Sequence, residues 1–229
     1  MTAPARRCIV FDLDGTLVDT SLDITASVNR TRAGAGLGPL SAEAVLAHVG
    51  RGATRLLLDT VGGPLGLDEA SPRFAALKAA YLADYRAHQC DQARLYPGTV
   101  ATLSRLAGNH ALYVLSNKPQ AHVTAMVETL GLAPLLRQAW GGGTFAGLKP
   151  DPAGVLAALG DSRLPAAHGL MVGDLVIDLR TGRAAGVGTV FATWGYGRVV
   201  PDDPAPDHVI ASAAELVPLV DGLRVECRR

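Results

Sequence analysis

Cys8-Ile9-Val10-Phe11 is a run of four apolar residues cut off by Asp12, a pattern that predicts a strand covered on both faces. From Ser21 to Gln89 apolar positions recur at helical spacing in four stretches, 21–32, 41–49, 52–61 and 71–89. Serines open three of them and are suited to N-capping. Gly/Pro-rich breaks at 34–39 and 62–64 separate the stretches, and no strand pattern interrupts the block. Beyond Tyr96-Pro97-Gly98 the rhythm changes. Strands expected at 111–115, 139–140, 169–172, 189–192 and 209–210 alternate with helices at 98–107, 119–130, 151–160, 177–185 and 212–223. Such alternation predicts a parallel sheet with helices on both faces. The expected fold class is α/β: a doubly wound, Rossmann-like core formed by residues 1–18 and 95–229, with a smaller helical domain, 19–94, inserted after the first strand.

Composition narrows the picture. The 229 residues are 48% hydrophobic and 18% charged, which is a globular chain with a sizeable core. Lys+Arg and Asp+Glu balance at 21 each, so neither nucleic acid nor an acidic membrane surface is an expected partner. The apolar run after Arg6-Arg7 stops at Asp12, too short for a signal peptide or a membrane span. Cys8, Cys90 and Cys227 lie far apart with no ligand spacing, so no structural zinc site is expected, and the setting is read as cytoplasmic. Only three lysines occur, Lys78, Lys118 and Lys149, in a chain otherwise supplied with arginine.

Polar residues mark the strand ends. The first strand ends in Asp12 and Asp14, followed by Gly15 and Thr16; the second ends in Ser116-Asn117-Lys118. Lys149 precedes the next helix, and a later strand ends in Gly173-Asp174, with Asp178 one helical turn on. In a parallel sheet these ends converge on one edge, where open α/β folds bind ligands. Two carboxylates leaving a buried strand are costly unless a cation or hydrogen bonds satisfy them; the plainer alternative is a solvated Asp-Gly turn. Carboxylates, a hydroxyl and a lysine together suit phosphoryl transfer to a carboxylate. A divalent cation and a fixed ammonium offset the approach of two anions, and a second acid serves the leaving oxygen and then water. Hard oxygen ligands point to magnesium.

These segments resemble the haloacid dehalogenase (HAD) superfamily of phosphatases, whose four motifs match as Asp12-Leu13-Asp14-Gly15-Thr16, Ser116, Lys149, and Gly173-Asp174 with Asp178. The resemblance implies that Asp12 is the nucleophile, forming an aspartyl-phosphate, and that Asp14 is the general acid/base with its backbone carbonyl on Mg2+. It implies that Gly15, Thr16, Ser116 and Asn117 hold the phosphoryl group and that Lys149 neutralises charge. Asp12, Asp14, Asp174 and Asp178 are the implied metal-site residues. The helical insert is then a cap. Asp19-Thr20 at its hinge, Val49-Gly50-Arg51-Gly52, Leu95-Tyr96-Pro97-Gly98 and Thr193-Trp194-Gly195-Tyr196-Gly197 are most similar to the phosphoglycolate phosphatase branch.

That branch implies a small phosphorylated metabolite as partner, most simply phosphoglycolate, and a monomer or homodimer. Arg51 is the candidate reader of a second anion, since a guanidinium fork suits a carboxylate; a solvated arginine beside flexible glycines is the alternative. The chain departs from the common family pattern at Leu175 and Ile177, where a small hydroxyl residue and Asn are usual. Sugar-phosphate phosphatases, mutases, pyrophosphatases and nucleotidases share the four motifs, so those activities stay open, as does a non-catalytic phosphate-binding relative. Asp14 argues against dehalogenase chemistry. The Gly-Lys-Ser/Thr ending of a phosphate loop, a Gly-x-Ser-x-Gly elbow and His-Glu-x-x-His are all missing from the sequence.

Overall fold

The structure is a computed structural model that describes residues 6–223; Cys227 lies outside them. Strand β1 (Cys8–Phe11) forms where the sequence predicts it and occupies an interior position of a six-stranded sheet. β2 (Val18–Asp19) follows, then α1 (Ser21–Gly34), α2 (Ala42–Leu46), α3 (Ala53–Leu57) and α4 (Pro72–His88). The chain returns through β3 (Arg94–Leu95) and α5 (Thr99–Ala107) to β4 (Ala111–Pro119), α6 (Gln120–Thr129) and β5 (Gln138–Gly142). It then continues through α7 (Ala153–Ser162), β6 (Gly169–Gly173), α8 (Val176–Ala184), β7 (Gly188–Ala192), β8 (His208–Ile210) and α9 (Leu216–Gly222).

The sheet order is β5-β4-β1-β6-β7-β8 and every pairing is parallel. This is the expected Rossmann-like α/β core. Successive residues of each strand point to opposite faces. Ile9, Phe11, Leu112, Val114, Leu170 and Val172 therefore pack on one side with Leu103, Met126 and Leu216. Cys8, Val10, Tyr113 and Met171 pack on the other with Val155, Ala158 and Leu159. The chain leaves β1 toward β4 on one side and reaches β6 only after the β5 edge, so the strand order reverses at β1. That crevice is where such sheets hold ligands.

A third apolar cluster is built wholly from residues 24–85, among them Ile24, Val28, Leu57, Phe74, Tyr81 and Tyr85. β2 and β3 pair antiparallel where the chain enters and leaves this helical part, with Val18 opposite Leu95 and Asp19 opposite Arg94. Two-residue ladders carry no periodic signal, and the sequence did not announce them. Two helical stretches are shorter than expected. That at 41–49 holds helix only to Leu46, and that at 52–61 passes into a wider π-helical turn at Leu58–Gly62. Ser41 and Ser71 cap their helices as expected. Ser21 does not cap α1; Thr20 precedes that helix, and its hydroxyl is used elsewhere.

Candidate active site

The polar residues at the carboxyl ends of β1, β4 and β6 do meet. Asp12 continues β1 by donating its N–H to Val172 O at 2.9 Å. Its Oδ1 lies 2.8 Å from Lys149 Nζ, and the same ammonium is 2.6 Å from Asp178 Oδ1. Asp174, at the exit of β6, accepts from Thr16 Oγ1 at 2.8 Å and from the Tyr196 N–H at 2.8 Å. Asp178 also accepts from the Leu175 N–H at 3.1 Å, which closes the first turn of α8. Gly15 turns this loop with φ +85°, and a Cβ there would collide with the Asp174 carboxylate. A residue with a side chain would have to displace an acid that the site needs.

β4 shows how the second segment is placed. The strand does not stop at Leu115. Its register against β5 shifts between Leu115 and Pro119, and within this irregularity Ser116, Asn117 and Lys118 are buried. Polarity there marks a site rather than an exit to solvent. Asn117 Nδ2 donates to Lys149 O at 3.0 Å and to Gly50 O at 2.9 Å, while Asn117 Oδ1 accepts from the Lys149 N–H at 2.7 Å. One amide thus ties Lys149's backbone to the loop after α2.

Burial dominates the electrostatics. It pushes the Asp12 carboxyl well above the usual carboxylate range, with Lys149 opposing and Asp178 and Asp174 adding to the rise. Burial and then Asp178 raise Asp174 to about 7. Burial works against the Lys149 charge, but Asp12 and Asp178 outweigh it and hold the ammonium above its ordinary value.

Asp12, Asp174 and Asp178 each bring a carboxylate oxygen within 4.8 Å of the others, all buried. Lys149 is the one ammonium paired with this trio among the described residues. With Asp14 and Lys118 included, four carboxylates face two ammonium groups. When all are ionised, two negative charges remain unmatched in a buried site. Hard oxygen donors with that imbalance fit a divalent cation.

The model of the haloacid dehalogenase-like hydrolase family matches residues 9–192. The chain belongs to this family. It is 39% identical over 197 residues to phosphoglycolate phosphatase of Rhodospirillum rubrum, covering 84% of this chain and 81% of that protein. It is 33% identical to phosphoglycolate phosphatase of Agrobacterium fabrum, over 94% and 92% of the two chains. A predicted phosphoglycolate phosphatase from Haemophilus somnus superposes with a TM-score of 0.86 at 29% identity, covering 93% of this chain and 97% of that one. The chain is thus a phosphoglycolate phosphatase-like HAD protein and a phosphatase.

Within this phosphatase the expected residues Asp12, Asp14, Gly15, Thr16, Ser116, Asn117, Lys149, Asp174 and Asp178 fall in one region. Arg51 does not join them. Its side chain is 51% exposed and paired with Asp59 at 3.1 Å, in a neighbouring cavity with Thr54, Lys78 and Leu148. Asp59 draws Arg55 and His48 as well, so the local carboxylate decides where Arg51 points.

Several residues that the sequence brought up without a role at the site contribute to it. Lys118 Nζ is 2.5 Å from Asp14 Oδ1 and 2.8 Å from Tyr85 Oη. Thr20 Oγ1 donates to Asp14 Oδ1 at 2.6 Å, and Tyr196 Oη accepts from the Thr20 N–H at 2.7 Å. Trp194 Nε1 donates to Thr16 O at 3.1 Å. The scarcity of lysine and the polar end of the second strand were the signals pointing to Lys118.

Between the strand ends and the helical part lies a cavity of about 50 Å³, room for a few water-sized groups. Asp12, Asp14, Ser116, Asn117, Lys118 and Lys149 form its polar wall, and Ile24, Val49, Ala53, Leu56 and Tyr81 its apolar one.

Proposed function

We propose that this phosphatase hydrolyses small carboxylated phosphomonoesters, phosphoglycolate first, by forming an aspartyl-phosphate on Asp12. The observation that supports this best is the Asp12 carboxylate itself. It is buried at the end of β1, held by Lys149 at 2.8 Å, grouped with Asp174 and Asp178 and open to a small cavity. Asp12, Asp174 and Asp178 would hold a divalent cation, magnesium in this reading, with Asp14 offering its main-chain oxygen. When bound, the cation offsets the charge of the carboxylate and phosphate as they meet.

The remaining steps belong to the chain's own residues. Asp12 attacks phosphorus through a carboxylate oxygen, and the ester oxygen leaves with a proton from Asp14. Lys149 fixes the Asp12 carboxylate and keeps its charge next to the developing negative charge. The Ser116 hydroxyl and the Asn117 main chain would hold the phosphoryl oxygens, with the Thr16 hydroxyl nearby on Asp174. The Gly15 N–H is taken by Val18 O, and the Asn117 side-chain amide by Lys149 and Gly50. Asp14, now a base, takes a proton from water, which attacks phosphorus and frees Asp12.

Residues 19–94 serve in this reading as a cap on a core of 1–18 and 95–229, opening and closing about the β2–β3 pairing. Among the described residues no helix is long and apolar enough to cross a membrane. A cytoplasmic phosphatase acting on a soluble metabolite, with neither nucleic acid nor membrane as partner, as monomer or homodimer, is the setting proposed.

The test is phosphate release with magnesium across a panel of phosphorylated metabolites, run beside Asp12→Asn. Activity focused on phosphoglycolate and lost in the variant is the expected result. Focus on a phosphorylated compound without a carboxylate would replace the substrate and keep the chemistry. Undiminished turnover by Asp12→Asn would end the mechanism.

A further inference from the structure

We infer that Lys118 is the specificity-determining cation of the cavity: it reads a carboxylate carried by the substrate beside its phosphate ester. The inference deepens the proposed function and rests on it. Lys118 and Lys149 are the two cationic side chains lining the cavity among the described residues. Lys149 is committed to Asp12 and Asp178. The rest of the wall is acidic, apolar or neutral, and Arg51 faces Asp59 in the adjoining cavity. A second anion on a small substrate therefore has Lys118 as its cationic contact.

The Lys118 side chain is built for this. It is 6% exposed, crosses the seam between β4 and α4, and stands 4.9 Å over the Tyr85 ring. An ammonium has three donors. One meets Asp14 at 2.5 Å and one meets Tyr85 Oη at 2.8 Å. The third has Met126 Sδ at 3.8 Å, a weak acceptor. A carboxylate oxygen is the stronger partner by far, since both groups are then charged. His122 also lines the cavity, and it is neutral: burial first, then Lys118, lower its pKa to about 4. It adds no competing cation. The apolar face from Ile24 to Leu56 leaves no matching site for a long polar tail.

Lys118 also touches Asp14, so its loss affects every substrate. The experiment therefore reads a ratio. kcat/KM is measured for phosphoglycolate and for 2-hydroxyethyl phosphate, which has the same chain length without the carboxylate, in the wild type, Lys118→Met and Arg51→Ala. Effects through Asp14 fall on both substrates and cancel. Loss of one charged hydrogen bond predicts that Lys118→Met lowers the phosphoglycolate preference about tenfold to a hundredfold.

Should Lys118→Met turn over neither ester, the same ratio is taken from calorimetric Kd values in Asp12→Asn and Asp12→Asn/Lys118→Met, and the same drop is expected. A preference that survives in Lys118→Met, or that collapses in Arg51→Ala instead, overturns the assignment while leaving the phosphatase reading intact. A wild type that shows no preference for the carboxylated ester overturns both this inference and the proposed substrate. Phosphate release from either ester that persists in Asp12→Asn counts against the mechanism alone.

Discussion

Gly50, in the loop after α2, approaches Leu175 so closely that a Cβ on Gly50 would collide with Leu175 Cδ1. Leu175 directly follows Asp174, and Gly50 O accepts from the Asn117 amide that also brackets Lys149. The helical part thus touches the site through a residue at which a side chain would be strained and would push Leu175 aside. Gly50 sits at φ +101°, where an L residue is strained by about 1–3 kcal/mol. Gly50→Ala is expected to lower kcat/KM at least about tenfold, with Tm changed by only a few degrees. Adding Leu175→Ala should recover part of the loss by restoring space. Wild-type kinetics in Gly50→Ala would show that this contact does not matter to the site.

Lys149 holds two carboxylates at 2.8 and 2.6 Å from a side chain 1% exposed. Breaking a buried pair strands the remaining charge and costs about 3–5 kcal/mol. Lys149→Met is expected to abolish phosphate release and to lower metal-free stability in denaturant melts by about that amount. A variant that loses activity at unchanged stability would show that the ammonium serves the reaction and not the fold.

Magnesium should stabilise the fold because it matches the trio's excess negative charge. At a hundred times Kd, binding adds about 2.7 kcal/mol. A thermal shift with magnesium is therefore expected in the wild type and reduced in Asp174→Asn, and chelation should stop phosphate release. An equal shift in Asp174→Asn would place the ion elsewhere.

His122 gives a pH signature away from the acids. Burial, then Lys118, lower its pKa from 6.5 to about 4 in the folded chain. Between those values the unfolded chain binds the extra proton, so the stability tied to neutral His122 is complete above about 6.5 and lost as pH falls toward about 4. The slope from this one group is about 1.4 kcal/mol per pH unit at most. His122→Gln should flatten that limb of the stability curve. An identical acid limb in the variant would show that His122 titrates normally.

The core strands were legible because each is a short apolar run closed by a turn signal, as in Cys8–Phe11. Asp12, Asp14, Asp174, Asp178 and Lys149 were legible for a related reason: charge at the end of a buried strand, or just before a helix at the same edge, has few purposes. The same cue misled at β4, where polarity suggested an end at Leu115 although the strand continues through Pro119 with its polar residues buried. Lys118 meets Asp14 across 104 positions and Tyr85 across 33, separations that no local pattern encodes. Arg51 followed a local expectation, yet Asp59, eight residues on, captures it.

The most direct test of the central claim is a rapid acid quench of wild-type protein turning over phosphate-labelled phosphoglycolate with magnesium, followed by peptide mapping. The account predicts transient label on the peptide containing Asp12, removed by hydroxylamine as an acyl phosphate should be, and none in Asp12→Asn. Turnover with no labelled protein, or label on any other residue, would contradict it.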